Sequence, residues 1–123
     1  MAWTYEQSTG NLINPQGDLL GQGYSGNGVD LDQPADQNVP CHGPIPQGEW
    51  IIGAFFDDPG GKGPIVCHLT PAPDTVTFGR SGFMIHGDNA AANHTASEGC
   101  IILTRPFREA IAASGDTVLC VTP

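Results

Sequence analysis

Apolar and polar positions follow strand periods along most of the chain. Residues 3–8 set Trp3, Tyr5 and Gln7 against Thr4, Glu6 and Ser8, and Thr9-Gly10-Asn11 turns the run back into Leu12-Ile13. This alternation predicts an opening hairpin. Residues 17–38 are crowded with Gly, Asp, Asn and Gln and show no strong period, so a long loop is expected there. No strand-turn-helix context surrounds the glycines of 21–28, so a nucleotide-binding reading of them has little support. After Gly43-Pro44-Ile45-Pro46-Gln47-Gly48, the apolar run 49–56 has strand length, with Trp50 expected in the core. Residues 57–63 read as a turn, and 65–69 as the next strand. Thr75-Val76-Thr77-Phe78 then leads through Gly79-Arg80 to a further strand ending at His86.

Helical period appears once, late in the chain. Thr104 or Arg105 caps a start at Pro106, an apolar stripe runs through Phe107, Ala110, Ile111 and Ala113, and Gly115 ends it. Residues 116–121 supply a last strand. The fold class expected is mainly β: one domain over 1–123, a small β-sandwich with one late α-helix packed against it.

Composition narrows this picture. The chain has 123 residues, enough for one core and not for two. Its 17 Gly and 11 Pro, beside only 14% charged residues, suit a turn-rich β-domain. The net charge of −9, with four Lys and Arg in all, argues against nucleic acid and against anionic lipid surfaces. Met1-Ala2-Trp3-Thr4-Tyr5 has no basic region followed by an apolar run, and no later stretch is long and apolar enough to span a membrane. No signal peptide and no membrane insertion are therefore expected.

The candidate chemistry lies in two short stretches, Gly82-Phe83-Met84-Ile85-His86-Gly87-Asp88 and Ala96-Ser97-Glu98-Gly99-Cys100-Ile101-Ile102-Leu103. In an extended strand Phe83 and Ile85 share one face while Met84 and His86 share the other, so His86 can face a cleft while Ile85 anchors the core. A small, polar connection over 88–95 is long enough to bring Cys100 back beside His86. A thiol with an ordinary pKa of about 8.5 is mostly protonated at neutral pH and needs a neighbouring base. His86 can serve as that base and then protonate a leaving amine, which is acyl transfer through a thioester. Gly99 allows a backbone conformation that exposes the sulfur, and the amides of Gly99 and Cys100 are candidate oxyanion donors. The competing reading is structural, since cysteine is often buried and a histidine at a strand end is often only hydrogen-bonded.

The pattern Ile85-His86-Gly87 followed by Ser97-Glu98-Gly99-Cys100-Ile101 resembles the active-site signature of L,D-transpeptidase (YkuD-like) domains. Trp3-Thr4-Tyr5-Glu6-Gln7-Ser8-Thr9-Gly10, the 43–50 stretch and Arg80-Ser81-Gly82 extend the resemblance over almost the full length, to the compact branch found as type VI secretion effectors. The resemblance implies an L,D-transpeptidase-like β-sandwich in which Cys100, His86, Ser97 and Gly99 are catalytic positions. It implies removal or exchange of the terminal D-alanine of peptidoglycan tetrapeptide stems after meso-diaminopimelate, without a cofactor. It further implies synthesis in the cytoplasm, delivery by a secretion-system carrier to a target cell's periplasm, and a cognate immunity protein. In that family the region of residues 17–38 borders the substrate groove, which makes Tyr24 and Ser25 candidate contacts, with a structural loop as the preferred reading. The signature departs from the family at Glu98, where a second histidine is usual, and at Ile102, where Arg or Asn is usual.

The remaining chemistry-bearing residues divide as follows. Arg80, just before the active-site strand, can clamp a substrate carboxylate bidentately. Asp88 can orient His86 or stabilise the turn, and His94 reads as a loop residue. Arg105 and Arg108, on the first turn of the helix, read as surface ion pairs. With Cys100 free, Cys67 and Cys120 both fall in strand-like runs and are the preferred disulfide, although four cysteines allow three pairings and a reducing cytosol allows none. Cys41-His42 and Cys67-His68 each place neighbouring ligands on opposite faces, so no metal is expected. Two alternatives remain: a papain-like amidase with Cys41 as nucleophile, disfavoured because His42-Gly43-Pro44 does not start a helix, and a non-catalytic wall-binding module.

Overall fold

The computed structural model describes residues 1–59, 62–88 and 97–123. The expected connection over 89–95, with His94 in it, lies outside the described residues. The fold is mainly β with a single late helix, a small sandwich of short strands. The strands are β1 (Ala2–Glu6), β2 (Asn11–Ile13), β3 (Leu19–Gln22), β4 (Tyr24–Ser25), β5 (Gly48–Ile52), β6 (Phe56–Asp58), β7 (Gly63–Pro71), β8 (Met84–His86), β9 (Ile101–Ile102) and β10 (Val118–Thr122). Helix α1 spans Arg105–Ser114. Neighbouring strands run in the order β3-β2-β1-β10-β5-β7-β8-β9-β4, with β6 also on β7.

The opening hairpin forms as its alternation dictates: β1 and β2 pair antiparallel, and Trp3, Tyr5 and Gln7 are buried. The C-terminal strand β10 then lies parallel to β1 and antiparallel to β5, a closure between chain ends that no local pattern encodes. Trp50 is fully buried in the main core and meets the edge of Phe83 at 4.9 Å between ring centroids.

Two expectations are corrected. Residues 17–38 are not one loop, since β3 and β4 form there beside two short 3-10 turns, Gly28–Asp30 and Pro34–Asp36. The partners of these strands are β2 and the distant β9, and Gly23 allows the close approach: a Cβ there would lie 2.0 Å from the Ile102 carbonyl oxygen. The run 49–56 is split, because different parts of β7 pair with β5 and β6 and the chain shifts between them at 53–55. Residues 75–77 are irregular between the turns 72–75 and 77–80, with Val76 and Phe78 exposed.

Helix α1 starts after Thr104 and ends at Gly115, whose φ of 71° is the left-handed conformation favoured at a helix C-terminus. Phe107, Ala110 and Ile111 face the core as their spacing predicts, whereas Ala113 is exposed and Arg108 joins the buried face. The helix packs on β7, and Trp3 Nε1 donates to Ser114 Oγ at 3.1 Å. Among the described residues no helix is long and apolar enough to cross a membrane.

Candidate active site

The site is built where β8 and β9 lie parallel, with Ile85 beside Ile101 and His86 beside Ile102. Ile85 and Ile101 turn into the main core. Strand alternation therefore puts Met84, His86 and Ile102 on the other face, together with Cys100, which precedes β9. Cys100, Ile102 and Tyr24 form a second buried cluster with Met84 packed against it. His86 and Cys100 thus share one face of adjacent strands, offset by two residues.

His86 is 2% exposed. Its Nδ1 lies 2.8 Å from the Gly87 carbonyl oxygen. A carbonyl only accepts, so Nδ1 carries the proton and Nε2 the lone pair. Nε2 is buried and has no hydrogen-bond partner among the described residues. Burial, above all, pushes the imidazole pKa down; the Gly87 carbonyl and Asp58 oppose this, while the charges of Lys62 and Arg108 add to it. The ring is a neutral base at pH 7, and the residue that orients it is Gly87, through its backbone, rather than Asp88.

Cys100 is a free, buried thiol whose Sγ lies 3.7 Å from the Gly82 carbonyl oxygen. Burial is the chief influence and pushes its pKa up; the Met84 amide, Lys62 and Arg80 pull the other way, and Glu98 adds to the rise. Its sulfur opens onto a cavity of about 450 Å³ lined also by Cys41, Lys62, Arg80, Gly82 and Glu98. A larger cavity of about 640 Å³ lies at the His86 end of β8, lined by Tyr24, Gly87, Asp88, Ile102, Arg105 and Arg108.

The turn that presents Cys100 is held by two fully buried hydroxyls. Ser97 Oγ donates to the Cys100 carbonyl at 2.6 Å and accepts the amides of Gly26 at 2.9 Å and Gly99 at 3.1 Å. Ser25 Oγ donates to the Gly99 carbonyl at 3.2 Å and accepts the Ile45 amide at 2.8 Å. Gly99 sits at φ 124°, and a Cβ there would lie 2.5 Å from Arg80 Nη2. Only glycine suits both the angle and the space.

These bonds revise several expected roles. The Ser97 hydroxyl braces its own turn and is saturated by it. Ser25 is sealed from any ligand. The Gly99 amide is occupied by Ser97 and is not free to receive an oxyanion. Arg80 is not free to clamp a carboxylate, because Nη1 donates to the carbonyls of Gln37 and of Pro44 at 2.8 Å, and Nη2 to Gly43 at 2.8 Å and Glu98 at 3.5 Å. It also covers the Phe83 ring, 5.2 Å from the centroid. Tyr24 donates its hydroxyl to Asp88 at 2.7 Å, and the two line the larger cavity together.

Arg108 is the second corrected arginine. Its guanidinium is buried and donates to the carbonyls of Leu103 at 3.2 Å, Ile65 at 3.2 Å and Pro64, tying α1 to β7. A Cβ on Gly87 would lie 2.9 Å from its Nη2, so it packs directly behind the turn that orients His86. Arg105 does form a surface pair, with Glu109 at 3.8 Å.

All four cysteines are free. The expected Cys67–Cys120 bridge fails on topology, since β5 lies between β7 and β10. Strands two apart are separated by about 9.5 Å, beyond the roughly 7 Å that a disulfide spans between Cα atoms. Cys41 lies exposed in a turn at φ 64°, and no helix starts at it. That removes the helix-activated thiol on which the amidase alternative depends. Lys62, which the sequence reading passed over as part of a turn, lines the Cys100 cavity; the scarcity of cations was the signal that could have singled it out.

A family model described as the Tlde1 domain matches residues 21–117, a span that contains both cavities apart from Thr9, and every residue of the Cys100–His86 face. No curated protein matches the chain.

Proposed function

Because the chain belongs to the Tlde1 domain family, we propose that it is a cysteine acyl-transfer enzyme in which Cys100 attacks peptidoglycan stem peptides and His86 moves the protons. The family is one of type VI secretion effectors of the L,D-transpeptidase kind, so the protein is such an effector, directed at peptidoglycan. That class implies secretion, action in the periplasm and an immunity partner.

One observation carries the finer reading: the buried Nε2 of His86, without a hydrogen-bond partner among the described residues, lies on the same face as the free thiol of Cys100. Burial pushes the imidazole pKa down and the thiol pKa up, so the resting pair is neutral. Proton transfer then accompanies attack instead of preceding it. Sγ attacks the carbonyl of the third stem residue, meso-diaminopimelate, while its proton passes to Nε2. The Cys100 amide holds the oxyanion. The tetrahedral species collapses to a thioester and expels the terminal D-alanine, whose amine takes the proton from His86. Water resolves the thioester to give L,D-carboxypeptidation, and a D-amino acid resolves it to give exchange, with His86 again taking the proton of the incoming group.

Incubation with a disaccharide-tetrapeptide, with and without a free D-amino acid, tests this by mass spectrometry of the products. Loss or replacement of the terminal alanine by the unmutated protein, and not by Cys100→Ala, is expected. An intact tetrapeptide, or full activity of Cys100→Ala, would end the proposal.

A further inference from the structure

The chain has four cations, and three are committed. Arg80 turns Nη1 and Nη2, and Arg108 turns Nε and Nη1, to backbone carbonyls, and Arg105 pairs with Glu109. Lys62 differs. Its backbone amide is fixed to Asp58 Oδ2 at 3.2 Å, but its side chain has neither ion pair nor hydrogen bond among the described residues. Lys62 is exposed and lines the cavity onto which Cys100 opens, and its charge acts on both Cys100 and His86.

The substrate class proposed above makes a specific demand on this cavity. An enzyme that removes one C-terminal residue cuts a carbonyl separated by a single residue, roughly 3.5 Å, from a free carboxylate. That carboxylate must therefore enter the cavity beside the nucleophile. A protein of net charge −9, with Glu98 on the same cavity wall, repels it unless a local cation compensates. Arg80 on the same wall adds positive charge, but its Nη1 and Nη2 donate to four carbonyls and do not offer the carboxylate a paired seat.

We propose that Lys62 is the specificity-determining residue of the Cys100 cavity, binding the free α-carboxylate of the substrate's terminal residue through its ammonium group. This assignment rests on the stem-peptide reading and explains why a C-terminal residue, and not an internal bond, is the target. An ammonium on a flexible stem suits a carboxylate that must leave with the released amino acid. The terminal carboxylate also offsets the charge that Lys62 imposes on His86, so the base strengthens once substrate is bound.

The test separates binding from turnover. Titration calorimetry on Cys100→Ala measures binding of a disaccharide-tetrapeptide and of the same molecule with a C-terminal carboxamide. The free carboxylate form is expected to bind about tenfold more tightly, a ratio that Lys62→Gln erases and Lys62→Arg largely keeps. Equal or undetectable binding of the two forms, or a preference that survives Lys62→Gln, overturns the assignment. The unmutated protein is run beside them for product formation. A Lys62-dependent preference without turnover supports the assignment and sinks the acyl-transfer reading, whereas equal turnover of both forms does the reverse. Lys62 is exposed, so loss of folding does not confuse the result.

Discussion

The hydroxyl of Ser97 donates to the carbonyl of Cys100 at 2.6 Å and at the same time accepts the amides of Gly26 and Gly99. One buried side chain thereby sets the direction of the turn that presents the Cys100 thiol. Ser97→Ala leaves these backbone groups without their partner, and an unsatisfied buried polar group costs about 1–3 kcal/mol. Chemical denaturation should show a loss of that order. The kcat should fall with KM nearly unchanged, because the thiol is displaced while the cavity keeps its lining.

Thiol reactivity should follow exposure and chemistry differently at the four cysteines. Cys41 is exposed and should label fastest with a small alkylating probe, whereas Cys67, buried and pushed up to about 12, should label only on unfolding. If His86 is the base for Cys100, alkylation of Cys100 should slow at least about tenfold in His86→Gln. Peptide mapping after labelling reads each site separately, and an unchanged Cys100 rate in His86→Gln would separate the two residues functionally.

Stability should peak in a window set by buried neutral groups. The pKa of His86 is lowered on folding, so the unfolded state takes up more protons as pH falls below about 6.5, and stability is lost on that side. The pKa values of Cys100 and Cys67 are raised on folding, so their contribution is complete below about 8.5 and is lost as pH rises above it. Melting temperature against pH should therefore be highest between about 6.5 and 8.5. His86→Gln should flatten the acid limb and leave the alkaline limb in place.

Arg108 is a buried cation satisfied by carbonyls alone among the described residues, and it stands behind the turn of Gly87. Arg108→Ala strands these carbonyls and opens a cavity, at a cost of about 2–4 kcal/mol. Arg108→Lys keeps the charge without the fork and should recover only part of this. The two variants also separate charge from packing in the pH–rate profile. Loss of the cation should move the acid limb, which reports His86, upward in Arg108→Ala and not in Arg108→Lys, since Arg108 is among the charges that hold the imidazole down.

Much of this protein could be read locally. The opening hairpin, the buried Trp50, the strand that ends at His86, the helix closed by Gly115 and the alternation that separates Ile85 from His86 all follow from period and turn chemistry over a few residues. The Ile-His-Gly and Ser-Glu-Gly-Cys stretches carried the family resemblance and the two candidate reacting groups for the same reason, since each is a continuous segment. Other features depended on partners far along the chain. Strands β3 and β4 are too short and glycine-rich to declare themselves, and they exist because β2 and β9 supply hydrogen bonds and Gly23 lets the backbones close.

The assignment of charge was decided by the tertiary structure. Arg80 and Arg108 looked like surface or substrate-binding cations from their neighbours in sequence. Both are instead consumed by carbonyls from 36 to 44 residues away, together with nearer ones. Tertiary structure likewise separated Cys67 from Cys120 by a whole strand and made braces of Ser25, expected as a substrate contact, and Ser97, expected as a catalytic position. A sequence states which donors and acceptors a chain owns and which local backbone shapes it prefers. Which donor meets which acceptor depends on the register of strands distant in the chain, and that register is fixed only when the whole core packs at once.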